Sequence, residues 1–349
     1  MADNPYLAVP PKGFWKQAVA ERSLFDIDLD WDPKYAIRRN TPIATFGSCF
    51  AQHFGRALRQ RGMHWFDGEP VNSQISDSLA MDYGYRTFSA RTANIYTTSL
   101  LLQWTRWALE LETPPDEVWT RGDRFVDPFR PRIEPEGFAS VAELHRLRER
   151  TLEAFRDCIA KARVFVFTLG LTESWFDAAG HEYPMCPGTA GGQFDPQHHQ
   201  FRNQSFTEVR AALAQSISLI REVNPRMRFL LTVSPVPLTA TMSGQHVVVA
   251  TMESKSILRA VAGDIARDDP NVDYFPSYEI INSPAFRGVF FEPNMRSVNP
   301  HGVDIVMQTF FRALERKFGL RLDEETAYRP SAEDVKCEEA VLAAYGRAG

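Results

Sequence analysis

The stretch ATFGSCFAQHF (Ala44 to Phe54) places a hydroxyl, a thiol and an imidazole (Ser48, Cys49 and His53) within six residues. It follows a short apolar run and opens a segment with helical periodicity. A serine at that junction lies where a helix presents unpaired backbone N–H groups and the positive end of its dipole. Acyl transfer needs that combination, a nucleophile beside donors that hold an oxyanion. An ordinary N-cap serine takes the same position, so position alone leaves both readings open. Cys49, one residue into the helix, points about 100° away from Ser48. A small residue packed on the sheet is the reading for its thiol. His53 is rotated about 140° from the serine, a poor placement for a direct base.

Other chemistry-bearing residues follow later apolar runs. Gly170, Thr172 and Glu173 close VFVFTLGLTE; the Thr172 hydroxyl has one donor to give, and Glu173 is read as orienting a histidine, binding substrate hydroxyls, or simply starting a helix. Asn94, in ANIYT, offers an amide to an oxyanion or a cap to the helix that follows. His246 comes after FLLTV and its SPVP turn. His301 opens the closing helix. Both are candidate bases, with Glu279, at the end of VDYFPSYE, a candidate acid partner. His181, Cys186, His198 and His199 share one long loop, yet their spacing fits no tetrahedral metal template. No metal and no cofactor are expected. The GTAGG tract in that loop is neither GxGxxG nor a P-loop, so a substrate-covering loop is the expectation rather than a nucleotide site.

These residues need a frame. PIATF (42–46), VFVFTLG (164–170), FLLTV (229–233) and VDYF (272–275) read as strands, with HWF (64–66) as one more. Helical patterns cover 50–61, 97–111, 141–162, 206–223, 251–267 and 303–318. Such alternation predicts an α/β fold, a three-layer α/β/α sandwich with a mostly parallel sheet. Ligands bind at the carboxyl ends of its strands, where the residues above fall. One domain is expected over 41–320. An arm (1–40) precedes it, loop insertions lie near 114–137 and 177–204, and a tail (321–349) follows.

The tracts also carry a resemblance. GSCFA, followed in order by FTLGLTESW, TVSPVPL, SKSILRA and YFPSYEII, resembles the GSCFA family over roughly residues 40 to 310, a family grouped with the SGNH (GDSL-like) hydrolases. The resemblance implies a flavodoxin-like sandwich, Ser48 as nucleophile and a C-terminal histidine as base. The backbone N–H groups of Ser48 and Gly170, with Thr172 or Asn94, then hold the oxyanion. The chain departs from the pattern in three places. Ala93 stands where a glycine precedes the asparagine. Gly170-Leu171-Thr172-Glu173 replaces Gly-x-Asn-Asp. In FFEPNMRSVNPHGVD, Asn294 and Ser297 occupy the positions of the usual Asp-x-x-His, and His301 lies four residues further on. Val298 stands three before His301, so His301 acts either in a dyad without an acid or with Glu173, Glu279 or Glu292.

The expected function is a serine-dependent esterase or O-acyltransferase acting on acyl esters of a carbohydrate or other hydroxylated substrate. The alternatives are an inactive ligand- or glycan-binding module, or an interaction module using the arm and the 114–137 loop. A net charge of −5 over 349 residues argues against a nucleic-acid partner. No apolar run reaches the roughly eighteen residues of a membrane span. The start has no apolar signal region, and the four cysteines (Cys49, Cys158, Cys186, Cys337) form no CxxC pair, so a cytoplasmic setting is expected. The oligomeric state is not read from the sequence.

Overall fold

Apolar runs that leave no polar face for water require cover on both sides, and that requirement organises the molecule. A computed structural model describes residues 4–322 and 338–347. Cys337 and most of the expected tail lie outside them. The strands are β1 (Ile43–Gly47), β2 (Trp119–Arg121), β3 (Arg124–Val126), β4 (Val164–Leu169), β5 (Glu173–Phe176), β6 (Glu182–Tyr183), β7 (Gln200–Asn203), β8 (Arg228–Val233) and β9 (Val272–Tyr274). The helices are α1 (Phe50–Gln60), α2 (Asp77–Asp82), α3 (Thr98–Ala108), α4 (Val141–Lys161), α5 (Phe206–Val223), α6 (Val247–Asp268), α7 (Ser277–Asn282) and α8 (Pro300–Phe318).

The central sheet runs β1-β4-β8-β9, all parallel, with Gly47 opposite Thr168 and Thr168 opposite Thr232. One face carries Phe46, Phe165, Phe167 and Leu231 against α3, α4, α5 and α6. The other carries Ile43, Val164, Val166 and Leu230 against α1, α7 and α8. Trp31, Tyr35 and Ile37 of the N-terminal segment join this second core, Trp31 stacking on Phe310 at 5.5 Å between centroids. The fold is thus the α/β/α sandwich that the alternating pattern predicts.

Beyond β1, the HWF segment contributes a single parallel bridge, Trp65 to Ile43, rather than a strand. Other segments take the rest of that edge. Ser89 bonds both backbone groups of Thr45, and the Ile95 amide donates to the Gly47 carbonyl at 2.9 Å. With Trp65 on one side of β1 and β4 on the other, strand order reverses at the β1/β4 boundary. In a doubly wound sheet that crevice is where ligands bind.

Two smaller sheets flank this frame. The proline-rich segment 114–137 forms the β2–β3 hairpin, anchored by buried Asp127, which pairs with Arg130 at 2.9 Å and Arg148 at 2.8 Å. Strands β6-β5-β7 form an antiparallel sheet after β4.

Candidate active site at the sheet switch point

Ser48 leaves β1 through Gly47, whose φ of +131° suits glycine and where a Cβ would meet the Thr168 carbonyl oxygen at 2.4 Å. The Ser48 amide continues the ladder to Thr168 O at 3.0 Å, and its carbonyl accepts from Ala51 N at 2.8 Å. The N-cap of α1 is Cys49, with no side-chain capping bond. Ser48 is therefore not the cap. Its Oγ is buried and has no hydrogen-bond partner among the described residues. Leaving a buried hydroxyl unpaired costs about 1–3 kcal/mol. The Thr168 hydroxyl, across the ladder from Gly47, is unpaired as well.

Gly170 faces Ser48 at the end of β4. A Cβ on it would lie 2.9 Å from Ser48 Cβ and 3.0 Å from the Tyr96 carbonyl oxygen, so only glycine lets the two strand ends approach. The segment Asn94–Tyr96 stitches them together. Ile95 bonds Gly47, and the Gly170 and Leu171 amides both donate to Tyr96 O at 2.9 Å. Asn94 is buried, and its Oδ1 accepts from Gln52 Nε2 of α1 at 3.3 Å. Ala93 is held at φ +59°, a strained value for a residue with a Cβ. Thr97, not Asn94, caps α3, accepting from Leu100 N at 3.0 Å.

The expected oxyanion donors need correction. The Ser48 and Gly170 amides are committed to Thr168 and Tyr96, because the ladder and the 94–96 segment reach them first. The Thr172 hydroxyl donates to Asn203 Oδ1 at 2.7 Å. Asn94 is held by Gln52 of α1, and the next residue, Ile95, bonds the Gly47 carbonyl.

A residue that sequence reasoning passed over enters the site. Lys255 of α6 is buried, and its Nζ donates to the Gly170 carbonyl at 2.6 Å. Its neighbour Ser254 accepts from the Thr172 amide at 3.2 Å. The signal lay within SKSILRA, where a lysine stands on the face of α6 that also buries Ala250, Leu258, Ala262 and Ile265. A lysine among such residues keeps its charge only by finding a buried acceptor.

None of the remaining expected residues, as described, hydrogen-bonds Ser48 Oγ. His246 is exposed and caps α6, accepting at Nδ1 from Val248 N at 3.2 Å. His301 is exposed at the start of α8, with the rings of Phe290 and Phe25 at 6.0 and 6.4 Å. Glu279, expected to partner a histidine, instead pairs with Arg259 and accepts from Tyr274 OH at 2.8 Å. Asn294 and Ser297 bond each other at 3.1 Å and close a turn. Glu292 joins that turn through its backbone, donating to Ser297 O at 2.8 Å. Buried His53 is held neutral, burial and then Arg56 lowering its pKa to about 3. His181 and His198 each meet an aspartate, Asp177 at 2.8 Å and Asp195 at 2.9 Å.

Glu173 opens β5 and accepts from Thr241 Oγ1 at 2.5 Å and Met242 N at 3.3 Å. Burial raises its pKa, and these two bonds offset the rise in part. It lines a cavity of about 770 Å³ bounded by Leu171, Trp175, Phe194, Phe201 and Leu238. Leu171 and Leu238 also pack with Tyr96, so one apolar wall separates the cavity from the Ser48 step.

Sheet order, layers and a serine set at the switch point define a doubly wound α/β protein with its candidate site between the first two paired strands. Residues 42–310 match the GSCFA family, and the chain belongs to it. No curated protein and no solved structure matches the chain. Among the described residues no helix is long and apolar enough to cross a membrane.

Proposed function

We propose that the protein is a serine-dependent esterase or O-acyltransferase of the SGNH type, working on acyl esters of a carbohydrate or another hydroxylated compound in a cytoplasmic setting. The observation that supports this most is the Ser48 hydroxyl at the carboxyl edge of β1, buried and without a partner among the described residues. A fold retains such a group at a cost when the group has work to do.

In this reading Ser48 Oγ attacks the acyl carbonyl carbon and gives its proton to a base. The tetrahedral adduct then collapses: the ester C–O bond breaks and the alcohol leaves with that proton. Water or a second hydroxyl next takes the acyl group from Ser48. The adduct's oxygen faces the N-terminal end of α1, and Lys255 stands one carbonyl away, on Gly170. A single oxyanion donor is typically worth ~2.7–4 kcal/mol of barrier. The base must come within about 2.6–3.2 Å of Ser48 Oγ during turnover. Alanine variants of His246 and His301 assign it by loss of activity.

One observation favours a second reading, a ligand-binding module without turnover. Among the described residues no histidine meets Ser48 Oγ, and the two expected backbone donors are committed. A fluorophosphonate probe separates the two. Labelling of the wild type but not of Ser48→Ala supports the enzyme; an unlabelled wild type selects the binding module.

A further inference from the structure

The 770 Å³ cavity beyond Leu171 has a chemistry of its own. Its size is that of a small-molecule site, mostly apolar with a few placed polar groups. Glu173 and Trp175 stand two apart on β5, so they share one face of the small sheet. Phe201 is the direct partner of Trp175 across the β5–β7 ladder. The Trp175 ring lies 5.6 Å from Phe201 and 5.2 Å, edge-on, from Phe194. Tyr345 lines the cavity as well. Among its described lining residues there is one carboxylate, Glu173, and no lysine, arginine or histidine. The carboxylate's partners are both neutral, a threonine hydroxyl and a backbone amide.

An aromatic box attracts a cation through the faces of its rings, and a half-buried carboxylate without a cation partner does so through its charge. An acyl chain would satisfy the rings and leave the carboxylate uncompensated; an anion would be repelled. We infer that this cavity binds an organic cation, a ligand joining an amine or quaternary ammonium group to an apolar body, with the ammonium beside Glu173 and Trp175. The inference concerns binding alone and stands apart from the chemistry proposed at Ser48.

The test is isothermal titration of the full chain with three probes of similar size: benzyltrimethylammonium, uncharged 4-tert-butylbenzyl alcohol and 4-tert-butylbenzoate. The cation is expected to bind at least tenfold tighter than the alcohol, and the benzoate most weakly. Glu173→Gln should abolish the preference for the cation, and Trp175→Leu should weaken cation binding several-fold; thermal melts of both establish that they fold. Ser48→Ala should bind the cation as the wild type does. The inference is overturned if the cation does not bind, if the alcohol or benzoate binds as tightly, or if folded Glu173→Gln keeps the preference. If Glu173→Gln fails to fold, Trp175→Leu decides alone, and unchanged cation affinity overturns the inference. None of these outcomes bears on whether Ser48 reacts with a fluorophosphonate.

Discussion

Replacing Gly170 by alanine tests the central geometry most directly. The added Cβ would lie 2.9 Å from Ser48 Cβ and 3.0 Å from the Tyr96 carbonyl oxygen. Ordinary carbon contacts begin near ~3.5 Å, so something must yield by roughly half an ångström. Neither neighbour is a flexible side-chain end. Tyr96 O is already held by the Gly170 and Leu171 amides, both at 2.9 Å, and Ser48 is fixed by its ladder bond to Thr168. Overpacking of this kind costs about 1–3 kcal/mol, and a nucleophile misplaced by about 1 Å loses on the order of 100-fold in rate. Denaturant unfolding should therefore show a lower midpoint with an unchanged slope. Fluorophosphonate labelling of Ser48 should slow by one to two orders of magnitude, on the same principle. A variant as stable as the wild type and labelled as fast would refute the close approach. A destabilised variant labelled at the wild-type rate would refute the placement of the reacting atom between these strand ends.

Three further outcomes follow from the same contacts. Ser48→Ala removes a buried hydroxyl with no partner among the described residues, so chemical denaturation should find it as stable as the wild type or more so, by up to about 1–3 kcal/mol; marked destabilisation would mean the hydroxyl has a structural partner. Lys255→Met removes the bond to the Gly170 carbonyl, and should cost about 1.5–3 kcal/mol in unfolding experiments and slow Ser48 labelling at least tenfold, whereas wild-type labelling would remove Lys255 from the site. Burial pushes the Asp127 carboxyl up, but Arg148 and Arg130 outweigh it and hold its pKa at about 2 against an ordinary 3.8. A depressed acid contributes its stability above the unfolded pKa, so unfolding curves should show about 2 kcal/mol lost as pH falls from about 4 to about 2, a loss that Asp127→Asn should not show.

How much of this was legible depended on the physics behind each residue. The strands at 43–47, 164–169 and 228–233 could be read because burial on both faces leaves an unbroken apolar run. Ser48 could be placed at a strand end for the same reason. The small β6-β5-β7 sheet stayed hidden because strands of two to four residues among Gly and Pro show no period. The commitment of the Ser48 and Gly170 amides was equally illegible, since it depends on a non-local segment, 94–96, crossing the sheet edge. Lys255 was readable in principle, as a charge on a helix's apolar face. Glu279 misled because a carboxylate at a strand end looks alike whether it faces a histidine or, as here, Arg259.

The outer edge of β1 is shared by Trp65, Ser89 and Ile95, three short segments that arrive separately along the chain, while its inner edge waits for β4. Each closure spends chain entropy before the next contact repays it. The surroundings of Ser48 are thus built from contacts distant in sequence, every one of which must close before they are complete. On the proposed reading of Ser48, labelling at this hydroxyl would count the chains in which all these contacts have closed rather than those in which only the helices have formed.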